Sequence, residues 1–379
     1  MTAFLTAIGL MSGTSADAID AVLVRTDGEG IPETLGFHSH PYPPDVRRDV
    51  LALIDPGPGE LDRLGDLNRR LGDLFALAAL AVCDRAGVDP TRVDVIGSHG
   101  QTVRHRPGRF SMQIGDPFRI AARTGILTVA DFRPADLARG GEGAPLAPRF
   151  HDALFRRPGR RVGVLNLGGI ANLTALPAAA DGPVVAGDTG PANTLIDLLA
   201  ERLSDGAQRC DLDGRRARRG AVDPLALAWL LAHPYLKQPF PKSTGREDFG
   251  PRLLEEFLAR FPGLAGDDGF ATLTAFTAAS VAVAARLLLP PGPDHLIICG
   301  GGARNPALMD ALVRELPGCR VEESDALGVD AGSLEARFFA WFAVRTLRGL
   351  PSSLPGATGA REPAVLGAIH PAGRYVPKF

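Results

Sequence analysis

Three glycine-containing turns and one Asp-Thr-Gly segment carry the residue types from which phosphate binding and proton transfer are built. Ser12-Gly13-Thr14-Ser15 can aim backbone N–H groups and hydroxyls at one point, which holds phosphate oxygens without a Walker-type lysine. Leu167-Gly168-Gly169-Ile170 has a similar make-up. A single turn of this kind reads more readily as an ordinary tight hairpin. Two of them, joined by a third glycine cluster at Gly300-Gly301-Gly302-Ala303-Arg304-Asn305, favour nucleotide binding. That third cluster is not G-x-G-x-x-G, and Glu322 and Glu323 come close to the ribose-binding position only in the wrong context, so a mononucleotide is expected rather than a dinucleotide.

Asp188 stands in Gly187-Asp188-Thr189-Gly190-Pro191-Ala192-Asn193, after the strand-like segment 183–186 and before a helix marked by Leu195, Ile196, Leu198 and Leu199. Alone, such an Asp caps a helix or starts a turn. In a nucleotide cleft the same carboxylate is the natural general base for water or a hydroxyl. Asp131 and Arg133 follow a strand end, and Arg133 could grip a carboxylate ligand bidentately or pair with Asp131 or Asp136. His99 and His105 flank Gln101 without the supporting carboxylate of a metal site, which favours hydrogen bonds to a substrate. The polar run from Lys242 to Phe249 reads as a loop entering a 251–260 helix, or as a solvated N-cap box. Glu335 lies near the start of an apolar helix at 330–347, as a cap or a cleft residue.

Strands expected at 4–11 and 19–24 flank the first turn, and strands at 162–167 and 172–176 flank the second. Residues 61–86 have helical apolar spacing. Short buried strands at 93–97 and 126–130 end in polar segments, and 295–299 runs into the third glycine cluster before a helix from about 306 to 316. The second half thus echoes the first, with an insertion at about 200–250. The expected fold is α/β, a duplicated domain with a central interdomain cleft. The first domain is expected at 1–135, with the destination of the C-terminal tail left open, and the second at 136–379. Hinges are expected in 134–160 and 351–363.

A chain of 379 residues suits two domains, and 45% hydrophobic with 22% charged residues excludes wholesale disorder. Basic and acidic residues nearly cancel, 41 against 43, leaving no global field for nucleic acid or anionic membrane. Only three of the basic residues are Lys (Lys237, Lys242, Lys378), a skew that reflects codon bias. Four scattered cysteines argue against disulfides and structural zinc. The start lacks the charged region of a secretion signal, and the longest wholly apolar run, 74–83, is too short to span a bilayer, so a cytoplasmic protein is expected.

Nearly end to end, these segments resemble the 1,6-anhydro-N-acetylmuramic acid kinases of the acetate and sugar kinase, Hsp70 and actin superfamily. The matching motifs are Gly9 to Ser15, Ser98 to Thr102, Gln113 to Asp116, Ala130 to Arg133, Gly140 to Leu146, Asn166 to Asn172, Gly187 to Asn193, Ser243 to Phe249 and Cys299 to Pro306. Ala16 and Ala18 stand where the family usually has Leu and Gly. The resemblance implies two RNase H-like domains and an enzyme that uses ATP and magnesium to open the anhydro sugar with water and phosphorylate O6. It implies Asp188 as catalytic base. Ser12, Gly13, Thr14, Ser15, Asp17, Gly168 and Gly169 would serve the phosphates, Gly300, Gly301, Gly302 and Asn305 the adenosine side, and Asp17 and Asp188 magnesium, directly or through water. Sugar contacts would come from His99, Gln101, Asp131, Arg133, Asn193 and Glu335, with Arg133 on the lactyl carboxylate. A homodimer in the cytoplasm, taking part in peptidoglycan recycling, is also implied. Alternatives are a kinase of the same fold acting on another sugar or carboxylate, and a non-catalytic ATP-binding module.

Overall fold

The computed structural model describes residues 3–13, 16–53, 57–327 and 333–373. Its first sheet contains β1 (Leu5–Ser12), β2 (Ala18–Thr26), β3 (Glu33–Pro41), β4 (Val95–Arg106), β5 (Phe110–Ile114) and β6 (Thr128–Ala130). The second contains β7 (Val162–Leu167), β8 (Ile170–Leu176), β9 (Val185–Pro191), β10 (His295–Cys299) and β11 (Arg320–Glu323), while β12 (Ala368–His370) returns to the edge of the first. Strand order is β12-β6-β4-β1-β2-β3 in one sheet and β11-β10-β7-β8-β9 in the other. Both sheets have three antiparallel strands followed by parallel ones, β4 and β6 or β10 and β11. This is the duplicated RNase H-like arrangement.

Apolar content explains which strands sit where. His-Leu-Ile-Ile-Cys of β10 is buried from Leu296 onward because parallel neighbours flank it on both sides. The edge strand β3 alternates between exposed and half-buried positions, so its signal is weaker. Helix Glu60–Ala86 lays Leu67, Leu71, Phe75 and Ala79 on one face of the first sheet. Helix Asp267–Leu288 is long and apolar enough by length and composition to cross a membrane, but its small side chains Ala278, Ala282 and Ala285 are core, packed with Leu165, Leu173 and Ile298.

Contacts divide the chain into Met1–Leu154 with Gly332–Phe379, and Phe155–Ala331. This differs from the division expected at 135/136, and two glycines supply the physical reason. Gly9 and Gly97 are partners on adjacent strands, and a Cβ on either would overlap the carbonyl oxygen of Ala336 or Phe339. Their bare backbone forms a trough for helix Leu334–Leu347. Phe339 and Phe342 of that helix pack on Phe132, and Phe338 and Trp341 pack on Phe150, which draws 136–154 into the same unit. Residues 351–363, expected as a hinge, are instead packed: Ser352, Ser353, Ala357 and Thr358 are buried, and Ser352 N–H donates to the Ala364 carbonyl.

Candidate active site

In the first unit the β1–β2 hairpin presents Ser12 and Gly13, while Thr14 and Ser15 lie outside the described residues. Gln101 fastens this turn. Its Oε1 lies 2.8 Å from Ser12 Oγ and 3.3 Å from Tyr42 Oη, and its Nε2 donates to the Gly13 carbonyl at 3.1 Å. The polar atoms of Gln101, expected on the sugar, are thus engaged with protein. Ser12 Oγ has a second acceptor, the Ala18 carbonyl at 2.9 Å, and one proton to share between them. Ala18 pairs in β2 with Pro41 as ordinary strand, so no left-handed backbone is needed at this position. Ala16 takes the positive φ, 50°. Asp17, expected near phosphate and magnesium, is exposed and paired with Arg47 at 2.9 Å.

Ser98 to Thr102, expected beyond a strand end, lies inside β4. Pairing with β1 slips between Ser98 and Gln101, so β4 bulges at His99-Gly100, with Gly100 at φ 74°. His99 is buried, stacked on Phe339 with ring centroids 4.5 Å apart. Arg133 donates to its Nε2 through Nε at 3.2 Å and Nη2 at 3.0 Å, so Nε2 accepts and Nδ1 carries the proton, 3.0 Å from the Gly100 carbonyl. Burial and then Arg133 hold the His99 pKa well below the usual imidazole range, consistent with this neutral tautomer. His99 orients Arg133; both of its ring nitrogens are used.

The third Arg133 contact is Nη1 to the Gly143 carbonyl at 2.7 Å. Behind Gly143 lies Asp136, fully buried, accepting from Gly143 N–H at 2.9 Å and from the Thr358 hydroxyl at 2.7 Å. Burial pushes the Arg133 pKa down to about 10, opposed by Glu335 and Asp136, so it remains a cation near neutrality. Glu335 follows Ser333, the N-cap, and is exposed. Surrounding protein raises its pKa, the Arg133 charge opposes this, and Asp20 adds to the rise. Asp131 is exposed at φ 56°, its carboxylate 3.9 Å from His370 Nε2.

In the second unit Asp188 lies within β9, opposite Asn172 of β8, and does not cap the following helix Thr194–Leu203. Pairing slips past Thr189, so Asp188 stands beside a bulge ending at Gly190, φ 146°. Its Oδ1 accepts from Asn172 Nδ2 at 2.9 Å and its Oδ2 from Thr244 N–H at 2.9 Å. A donor on each oxygen fixes the carboxylate plane, and an oriented carboxylate is suited to take a proton. Neither Asn172 nor Thr244 was singled out from sequence, although both lie within matched motifs.

The Gly168 carbonyl accepts from Asn193 Nδ2 at 2.8 Å and Asn193 N–H at 3.1 Å, and the Gly169 carbonyl from Ala192 N–H at 2.9 Å and Thr194 Oγ1 at 2.8 Å. In trans peptides the next amide points the opposite way, so Gly169 and Ile170 N–H groups face away from Asn193 and Thr194. Such a paired-amide turn suits an anion. Asn193, expected on the sugar, spends its amide on this turn. Gly300, at φ 84°, admits Asn166 Oδ1 where a Cβ would overlap it. Gly301 is exposed, with open space where a Cβ would be. Asn305 Oδ1 caps helix Pro306–Glu315, accepting from Ala307 N–H at 3.1 Å and Leu308 N–H at 3.3 Å. Among the described residues no three His, Cys, Asp or Glu side chains are grouped to hold a metal.

The family model described as anhydro-N-acetylmuramic acid kinase matches residues 5–372. A protein of that name from Shewanella amazonensis is 47% identical over 368 residues, covering 96% of this chain and 98% of its own. The chain belongs to this family. A second anhydro-N-acetylmuramic acid kinase, from Shewanella denitrificans, is 44% identical over 374 residues and covers 98% of each chain. Membership makes the chain an enzyme of the kinase class. A solved structure similar to this chain is the ROK family glucokinase of Streptomyces griseus, at 15% identity and a TM-score of 0.40, covering 89% of this chain and 99% of that one.

Proposed function

We propose that the chain acts on 1,6-anhydro-N-acetylmuramic acid with ATP, opening the anhydro bridge with water and phosphorylating the released O6. The observation that carries this reading is the Asp188 carboxylate, fixed by Asn172 and Thr244, in a chain that matches the kinase family over residues 5–372. Asp188 takes the proton of a water that attacks C1, the C1–O6 bond breaks, and O6 attacks the γ-phosphorus as the bond to the β-phosphate oxygen breaks and ADP leaves. The products are N-acetylmuramic acid 6-phosphate, ADP and one proton.

Arg133, held by His99 and Gly143, offers its remaining N–H groups to the lactyl carboxylate, with Glu335 and Asp131 in the same unit available to sugar hydroxyls. Ser12, Gly13 and the amides of Gly169 and Ile170 serve the phosphates, and open Gly301 the adenosine side. The donors present fit magnesium carried on the nucleotide, kept by one or two carboxylates and water, because Asp17 is paired with Arg47 and no carboxylate cluster is preformed among the described residues. When bound, the ion would neutralise phosphate charge, held by Asp17 or Asp188 directly or through water. Peptidoglycan recycling in the cytoplasm and a homodimer complete the reading; cell fractionation and light scattering test those two.

The deciding experiment incubates the enzyme with ATP, magnesium and the anhydro sugar in ¹⁸O-water. One labelled oxygen at C1 of a phosphorylated product is expected. A product that gains phosphate without water would replace the coupled reaction with ordinary sugar phosphorylation.

A further inference from the structure

Lys242 is one of three lysines in a chain whose other 38 basic residues are Arg, so it stands against the compositional bias. Its surroundings explain why an ammonium is kept there. Lys242 is buried, 9% exposed, with Nζ 4.5 Å from the Tyr235 ring centroid and 4.8 Å from that of Phe240. Nζ also donates to the carbonyls of Tyr235 at 3.0 Å and Leu236 at 3.2 Å. Two π faces and two carbonyls suit a compact cation with rotatable donors; a planar guanidinium is larger and presents its donors in a rigid fork.

From this cage the chain runs directly to Asp188. The Lys242 carbonyl accepts Asp188 N–H at 2.8 Å, and two residues on, Thr244 N–H donates to Asp188 Oδ2 at 2.9 Å. Tyr235, a wall of the cage, donates its hydroxyl to the Asp188 carbonyl at 2.9 Å. Gly187 makes the approach possible, since a Cβ there would lie 2.8 Å from both the Lys242 carbonyl oxygen and the Phe240 ring. We propose that Lys242 is a positioning residue for Asp188, its caged ammonium anchoring the 242–244 segment that grips the base by backbone and side chain. This rests on the reading of Asp188 as the base.

Lys242→Met tests it in the 379-residue chain. Expected is a fall in kcat of about 10- to 100-fold, as for a small misplacement of a reacting group, with sugar KM and nucleotide affinity changed less than about threefold. Lys242→Arg should fall similarly, because charge without the compact shape does not fit. In Lys242→Ala, methylammonium should restore part of kcat, whereas tetramethylammonium, which has no N–H donor, should not. A folded Lys242→Met with kcat within about twofold of wild type overturns the proposal. If Lys242→Met does not fold, Lys242→Ala folded in the presence of methylammonium decides: kcat that ignores the amine overturns the proposal, and kcat that tracks it supports it. Asp188→Asn run alongside separates the two ideas. Full turnover there removes the base, while an inactive Asp188→Asn beside an unaffected Lys242→Met removes only the grip.

Discussion

His99 in β4 and Asp188 in β9 both stand beside a strand bulge followed by a glycine at positive φ, Gly100 or Gly190. An extra residue at such a point re-aims a side chain that regular alternation would leave in the core or the solvent. The supports differ. Asp188 is gripped from nearby in sequence, by Asn172 sixteen residues before it and Thr244 fifty-six after it. Arg133 depends on Gly143, hence on Asp136, hence on Thr358, and the Asp136–Thr358 bond spans 222 residues. Asp188, the proposed base, is therefore held by its own unit's continuous chain, and Arg133, the proposed carboxylate contact, only by a unit closed with a distant segment. Losing a local grip should affect turnover; losing a distant one should affect stability and binding together.

The largest effect expected is for Asp188→Asn, a fall in turnover of about 10²–10⁴-fold with nucleotide binding kept, read by steady-state kinetics and calorimetry. Gly97→Val should destabilise the first unit by about 3 kcal/mol, since its side chain meets a helix backbone that cannot move aside, seen as an early first transition in urea. If both transitions moved equally, the contrast in supports would fail.

Acid should act on the same unit. Burial pushes the His151 pKa down to about 4 from an ordinary 6.5. Above about pH 6.5 neither state is protonated and the full stability is present. As the pH falls toward 4 the unfolded chain takes up a proton that the native imidazole refuses, and up to about 3 kcal/mol is lost. Urea titrations of wild type and His151→Gln across this range should diverge at neutral pH and converge in acid; parallel curves would remove His151 as the source.

Smaller changes probe the arginine. Arg133→Ala should raise the sugar KM by about 10- to 100-fold, and His99→Ala by about tenfold, with kcat less affected. An unchanged KM in His99→Ala would show that Gly143 alone aims the guanidinium. Thr358→Val should come last, costing about 1–3 kcal/mol by leaving a buried carboxylate oxygen short of a donor, with a modest rise in KM. Thr358→Ser should recover both.

Much of this was legible in the sequence. Strands at 162–167 and 295–299 and the helix at 251–260 read directly, because apolar runs are bounded there by glycine or proline. β3, β5, β11 and β12 did not, being short or edge strands with polar alternation that resembles loop. At the site, residue types were readable but partners were not. His99, Gln101, Asn193 and Asn305 look like ligand contacts in a motif, yet their hydrogen bonds go to Arg133, the first turn, the second turn and a helix start. A polar residue that holds another in place carries the same sequence signal as one that touches substrate. Asp136 stood out only as an ion partner for Arg133 and Thr358 gave no signal, since their pairing exists only through the returning segment.

The trough at Gly9 and Gly97 has a consequence for how the molecule comes into being. The helix that fills it starts more than 300 residues after Gly9, so its closure carries a high loop-entropy cost and must wait for nearly the whole chain to be made. Phe155–Ala331 is continuous and needs no such return. During synthesis the expected order is reversed relative to the chain: the second unit sets first, while the first holds an exposed apolar sheet face that chaperones would recognise. Pulse proteolysis of ribosome-bound chains would test this, with protection expected first in the later-made unit; protection arriving first at β1 and β4 would contradict it.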